Sequence, residues 1–130
     1  MVIKIYDKND EMGLLDLLYD EGEEWTDYHN QNGREKLIRA LASSIAYLAY
    51  EGNIVIGYIR AREDDGFGVY IYDLLVRKSY RGHNIGKQLM EHIASKYLDQ
   101  TIYVMSDVDN YYEKVGYQRV GSIFEIKREK

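Results

Sequence analysis

Two β-branched and aromatic runs, Ile45 to Tyr50 and Ile54 to Arg60, are separated only by Glu51-Gly52-Asn53. No other feature constrains the fold as much. A connection this short folds the chain back on itself as an antiparallel hairpin, and Gly52 supplies the positive φ of the turn. After the polar turn Glu63-Asp64-Asp65-Gly66, a third run from Phe67 to Val76 extends the meander. The chain is therefore expected to build a sheet first and to pack helices against it.

The helices follow from periodicity. After a short strand from Val2 to Tyr6, Asn9 or Asp10 offers an N-cap for a helix with Leu14, Leu15 and Leu18 on one face, ending near Gly22. The acidic, aromatic stretch from Asp20 to Gly33 is irregular and reads mainly as loop. From Arg34 to Ser43, Leu37, Ile38, Leu41 and Ile45 recur at helical spacing. Ile85, Leu89, Ile93 and Tyr97 fall every four residues with Met90 beside them, which predicts another helix, its polar side holding Lys87, Glu91 and Lys96. Thr101 to Met105 is a short strand, Asn110 to Val115 a short helix, and Tyr117 to Ile126 a closing strand. The expected architecture is α/β in the α+β sense: a mixed, mostly antiparallel twisted sheet flanked by about four helices, in the order β-α-α-β-β-β-α-β-α-β.

At 130 residues and 45% apolar content, the chain suits one well-filled core, so residues 1–130 are read as a single domain. No apolar run approaches the roughly 18 residues of a membrane span, and Lys4, Asp7 and Lys8 interrupt the N-terminus where a signal peptide would be apolar. A cytoplasmic protein with no membrane partner is expected. The net charge of -5 argues against a nucleic-acid partner. With no cysteine, disulfides, thiolate metal sites and a cysteine-bound acyl intermediate are excluded. No ligand spacing links His29, His83 and His92, so no metal is expected.

The chemistry concentrates between Leu74 and Met90. A strand ending at Leu74-Leu75-Val76, a loop Arg81-Gly82-His83-Asn84-Ile85-Gly86 and a helix starting near Asn84 or Ile85 present unpaired backbone N–H groups at a positive dipole end. That geometry suits a pyrophosphate. Gly82 and Gly86 admit an anion close to the backbone, Arg81 positions the loop or adds charge, and Lys87 lies in the first helical turn. A Walker loop fails, because Gly86-Lys87 is followed by Gln88 and the glycine spacing is wrong. A dinucleotide fingerprint fails too, since the glycines follow an antiparallel meander rather than the first strand of a βαβ unit.

The segment resembles the acyl-CoA loop of the GCN5-related N-acetyltransferase (GNAT) family, Gln/Arg-x-x-Gly-x-Gly/Ala after a strand ending in Leu-x-Val. Asn84 stands where that pattern has its internal glycine, and asparagine tolerates left-handed backbone better than other non-glycine residues. Tyr111-Tyr112-Glu113-Lys114-Val115-Gly116-Tyr117 is similar to the Phe-Tyr-x-Lys-x-Gly-Phe/Tyr segment near the end of such enzymes. The element order also agrees with that family.

The resemblance implies a GNAT-like fold and acetyl transfer from acetyl-CoA to a primary amine by direct attack in a ternary complex. It implies a backbone N–H near Val76 polarising the thioester carbonyl and Tyr112 protonating the departing thiolate. Leu74, Leu75, Val76, the loop from Arg81 to Lys87, Asn110 and Tyr112 would then hold the donor. Asp73, which interrupts an apolar strand just before Leu74, is the first candidate for the base that deprotonates the amine, and Glu24 is the second. Trp25 and Tyr28, with Asp73, are assigned to the acceptor, and the surrounding Glu21, Glu23, Glu24 and Asp27 could attract a cationic amine. The expected acceptor is a small-molecule or peptide amine, and a homodimer is compatible with this reading. The alternative is a non-catalytic acyl-CoA-binding sensor or interaction module that keeps the loop without turnover.

Overall fold

The computed structural model describes residues 1–128. β1 (Val2–Ile5) leads into α1 (Glu11–Glu21), followed by α2 (Thr26–His29) and α3 (Gln31–Ala42). β2 (Ile45–Glu51), β3 (Ile54–Glu63) and β4 (Val69–Val76) form the meander. α4 (Ile85–Lys96) then crosses to β5 (Ile102–Val104), and α5 (Asp109–Lys114) is the last regular element. The strands lie in the order β1-β2-β3-β4-β5, all antiparallel except that β5 runs parallel to β4. The mixed, mostly antiparallel sheet is thus as expected, with five helices flanking it rather than about four.

Each face of the sheet carries its own core. Leu14, Leu17 and Leu18 of α1 and Leu37 and Leu41 of α3 bury against Leu48, Val55, Tyr58 and Leu75. On the opposite face Ile85, Leu89, Met90 and Ile93 of α4 bury against Ile56, Ile59, Val69 and Ile71. Each such side chain contributes roughly 1.5–3 kcal/mol relative to exposure. Gly57 sets how closely α4 approaches: a Cβ there would stand 3.0 Å from Leu89 Cδ1 and 3.1 Å from Ile85 Cγ2.

Three local readings are corrected. Asp7, rather than Asn9 or Asp10, caps the start of the first helical segment. Its side chain accepts from Asn9 N–H at 2.7 Å, the Asp10 carboxylate accepts from Asp7 N–H at 2.9 Å, and a 3₁₀ turn precedes α1. The stretch from Asp20 to Gly33 is helical in short pieces, with a 3₁₀ turn at Glu23–Trp25, then α2, then the start of α3. Single turns are too short to show a period. Asn30 starts α3 earlier than Arg34 by accepting the Gly33 N–H at 2.7 Å, and Gly33 is required because a Cβ would fall 1.7 Å from the Asp27 carbonyl oxygen. Ile45 accordingly opens β2 instead of continuing α3.

The third correction is the closing strand. Residues 117–126 form no strand, and Val120, Ile123, Phe124 and Ile126 are between 71% and 87% exposed. No backbone hydrogen bond joins them to β5 among the described residues. Instead a cleft of about 470 Å³ separates the segment from Tyr103 and Met105, so the ladder that would define a strand has no second rail.

Candidate active site

The site forms where β4 and β5 part. They pair only through Val69↔Ile102, Tyr70↔Tyr103 and Ile71↔Val104, while β4 continues to Val76. Arg77 N–H donates to Ile56 O across the β3 side at 2.8 Å. Ladder alternation therefore turns the backbone of Leu74 and Val76 away from β3, toward the gap. The Val76 carbonyl accepts from Arg81 Nε at 3.0 Å, and its N–H faces a cleft of about 850 Å³.

The loop after β4 reaches that cleft by two left-handed residues. Gly82 has φ +87°, and Asn84 has φ 61° and ψ 22°, so asparagine does take the left-handed conformation here. No side chain caps α4. The N–H groups of Ile85, Gly86 and Lys87 therefore lack intrahelical acceptors, and these three residues line the cleft with Arg81, Gly82 and Asn84. Leu74, Leu75, Val76 and Tyr112 line it as well. His83 is exposed on the loop and Asn110 on α5, and neither lines the cleft. A Cβ at Gly86 would lie 2.6 Å from Tyr111 Oη, so a larger residue there would displace the Tyr111 side chain. Tyr111 was not singled out in the sequence, although its place beside Tyr112 puts it on the same short helix.

Ion pairs tie the loop to α1. Arg81 meets Glu21 at 2.7 Å, and Arg77 meets Asp16 at 2.9 Å and Asp20 at 3.4 Å. Glu21 is 7% exposed at its side chain. It is therefore spent on Arg81 and does not belong to a free acidic cluster for recruiting an amine.

A second, smaller cavity of about 330 Å³ opens on the same gap and shares Glu24, Trp25, Leu74, Asp107 and Tyr112 with the first. Tyr28, Tyr72 and Asp73 complete it from β4 and α2. A bulge explains the placement of Asp73. Arg60 pairs with Asp73 but Ala61 pairs with Ile71, so Tyr72 is an extra residue that turns Asp73 onto the face covered by α1 to α3.

There Asp73 is 3% exposed and fully engaged. Its carboxylate accepts from Tyr28 Oη at 2.6 Å, Tyr58 Oη at 2.9 Å and Arg60 Nε at 2.6 Å. Burial, and then the hydrogen bond to Asp73, push the Tyr28 hydroxyl up to about 12. Burial above all pushes that of Tyr58 well above its ordinary value. Burial opposes the charge on Arg60, but the hydrogen bond and charge of Asp73 outweigh it, so the guanidinium is held more firmly than usual. The network is one carboxylate, one cation and two neutral phenols.

Tyr112 differs: half-buried, it is pushed to about 12 first by burial and then by Tyr111 and Asp107. It is a protonated donor at neutral pH. Asp107 was missed in the sequence; the available signal was its place just past the carboxyl end of β5, beside a parallel strand, where ligands bind in open sheets. Among the described residues no group of three or more His, Asp or Glu could hold a metal, and no helix is long and apolar enough to cross a membrane.

Comparison with known proteins places this geometry. A family model described as an acetyltransferase (GNAT) domain matches residues 8–128. An uncharacterized N-acetyltransferase, ycf52, of Gracilaria tenuistipitata var. liui is 35% identical over 80 residues, covering 55% of this chain and 44% of that protein. The histone acetyltransferase TAP1 of Glycine max is 32% identical over 69 residues, covering 49% of this chain and 30% of that protein. The chain thus matches less than half the length of either relative. Among solved structures, the GNAT-family protein SP0256 of Streptococcus pneumoniae TIGR4 superposes with a TM-score of 0.75 at 27% identity, covering 98% of both chains. An aminoglycoside 6'-acetyltransferase type Ii does so at 0.75 and 26%, covering 93% of this chain and 85% of that one.

Proposed function

Because the chain belongs to the GNAT acetyltransferase family, we propose that it transfers an acetyl group from acetyl-CoA to a primary amine by direct attack in a ternary complex. The observation that carries the reading is the junction of the two cavities, where the Val76 N–H, Glu24, Asp107 and Tyr112 converge on one gap. The larger cleft fits the donor: the free N–H groups of Ile85, Gly86 and Lys87 meet the pyrophosphate, and the gap beside β4 receives the pantetheine arm. The donor supplies a thioester as the activated acyl group.

The chain's own groups then divide the work. The Val76 N–H polarises the carbonyl oxygen. An alkyl ammonium, with a pKa of about 10 in water, must lose its proton before attack. We assign that proton to Glu24, directly or through one water, because Glu24 borders both cavities and, among the described residues, has no partner like the one that occupies Asp73. Asp73 instead fixes Tyr28 in the acceptor wall. As the new C–N bond forms and the C–S bond breaks, Tyr112 donates to the sulfur. Burial keeps this phenol protonated at neutral pH, so it holds the proton that the departing sulfur needs. Glu24, Asp107, Trp25 and Tyr28 favour a cationic small-molecule amine, as do neighbours named for aminoglycosides.

An amine panel with acetyl-CoA tests the reading through amine-dependent thiol release. Tyr112→Phe is expected to bind acetyl-CoA normally and to lose roughly a hundredfold in kcat. Equal turnover removes Tyr112 from the reaction, and donor binding with no turnover on any amine favours a sensor module.

A further inference from the structure

β4 runs on past its pairing with β5 to Val76, so the carbonyl and N–H that Val76 turns toward the gap have no strand to meet. A side chain answers one of the two. Arg81 Nε donates to the Val76 carbonyl at 3.0 Å, which leaves the N–H for a ligand. The Arg81 side chain is 48% exposed, and a long side chain on a surface holds one rotamer only weakly by itself. Its far end is what fixes it. Arg81 Nη2 donates to Glu21 Oε2 at 2.7 Å, and the Glu21 carboxylate is almost wholly buried.

Glu21 occupies a place that electrostatics disfavours twice. It is the last residue of α1, at the negative end of the helix dipole, with no basic residue in the final turn. It also lines the cleft assigned to the anionic donor. A neutral side chain would suit both the helix and the donor better, so the carboxylate is explained by Arg81 alone. Its position matters too: Gly22, at φ +93°, turns the chain directly from Glu21 into Glu23–Trp25, and Glu24 and Trp25 wall both cavities.

We propose that Glu21 is a positioning residue for acyl transfer: through Arg81 it fixes the backbone of Val76 so that the Val76 N–H points at the donor's carbonyl oxygen. Arg81 stands in for the missing strand, and Glu21 anchors it without touching the donor. The inference rests on the acetyl-transfer reading above and adds to it the residue that holds the polarising group in place.

Three measurements on the full chain, Glu21→Gln, Arg81→Met and the double variant form the test: acetyl-CoA titration, amine-dependent turnover, and the Raman carbonyl stretch of bound acetyl-CoA carrying a ¹³C thioester carbonyl. The unaltered chain is expected to lower that stretch relative to free acetyl-CoA. Glu21→Gln is expected to lose part of the shift and about tenfold in kcat, less than the roughly hundred- to thousandfold that follows deletion of an oxyanion donor. Its acetyl-CoA affinity should hold or rise, because a negative charge has left the cleft. A merely structural role would instead weaken donor binding and leave the stretch of the bound donor unmoved. Arg81→Met alters a half-exposed side chain, is expected to fold, and should reproduce the loss of kcat and shift even if Glu21→Gln does not fold. The double variant should lose no more than either single change, since one residue acts through the other. Additive losses overturn the proposal, as does an unmoved stretch and kcat in the single variants of a chain that binds acetyl-CoA and turns over. Failure of the unaltered chain to bind acetyl-CoA overturns the acetyl-transfer reading itself, and this inference with it.

Discussion

The two halves of the cleft are made of different material. The donor half is backbone: two left-handed residues, an uncapped helix start, and a strand whose N–H groups turn toward a gap. The acceptor half is side chain: a carboxylate on β4 gathers Tyr28 from α2 and Tyr58 and Arg60 from β3. Backbone geometry is written in consecutive residues, whereas Tyr28 and Asp73 stand 45 positions apart. A contact like that appears only when the bulge at Tyr72 has turned Asp73 to the correct face.

This difference explains what could be read in advance. The loop from Arg81 to Gly86 was legible because glycine and asparagine mark positive φ locally, and α4 because Ile85, Leu89 and Ile93 keep one period for three turns. The meander was legible from Gly52 and from β-branched runs. Asp73 drew notice as a charge in an apolar strand, yet nothing nearby in sequence announced that Arg60 pairs with it. Glu21 looked like one acid among several until Arg81 claimed it. Residues 117–126 have the pattern of a strand, but pattern does not specify a partner.

Gly86→Glu should break the donor half alone. A carboxylate set among the free N–H groups repels the pyrophosphate and its stem meets Tyr111 Oη. Acetyl-CoA affinity is expected to fall by at least about 4 kcal/mol, roughly a thousandfold. Calorimetric titration on a variant whose melting temperature stays near that of the parent checks this. Retained affinity would show that the donor does not lie on α4.

Asp73→Asn is the reverse experiment. It removes the charge beside Arg60, whose side chain is only 14% exposed. Breaking one side of a buried pair should cost about 3 kcal/mol of stability. Adding Arg60→Met should restore part of that, since the unpaired cation is then gone. The acceptor KM should rise through the loosened Tyr28 while acetyl-CoA affinity holds. A parallel loss of donor affinity would mean that the halves are not separable.

The smallest effect probes whether the donor half is backbone throughout. Asn84 makes no capping bond and sits at φ 61°, so the position should ask only for tolerance of left-handed backbone. Glycine tolerates that conformation freely, whereas alanine meets a penalty of roughly 1 kcal/mol. Asn84→Gly should therefore leave the melting temperature and acetyl-CoA affinity within a few tenths of a kcal/mol, and Asn84→Ala should lose about 1 kcal/mol from their sum. Calorimetric titration and thermal melts on the pair decide it. Were glycine to lose as much affinity as alanine with stability intact, the amide of Asn84 would itself touch the donor, and the backbone half of the cleft would have one side chain in it after all.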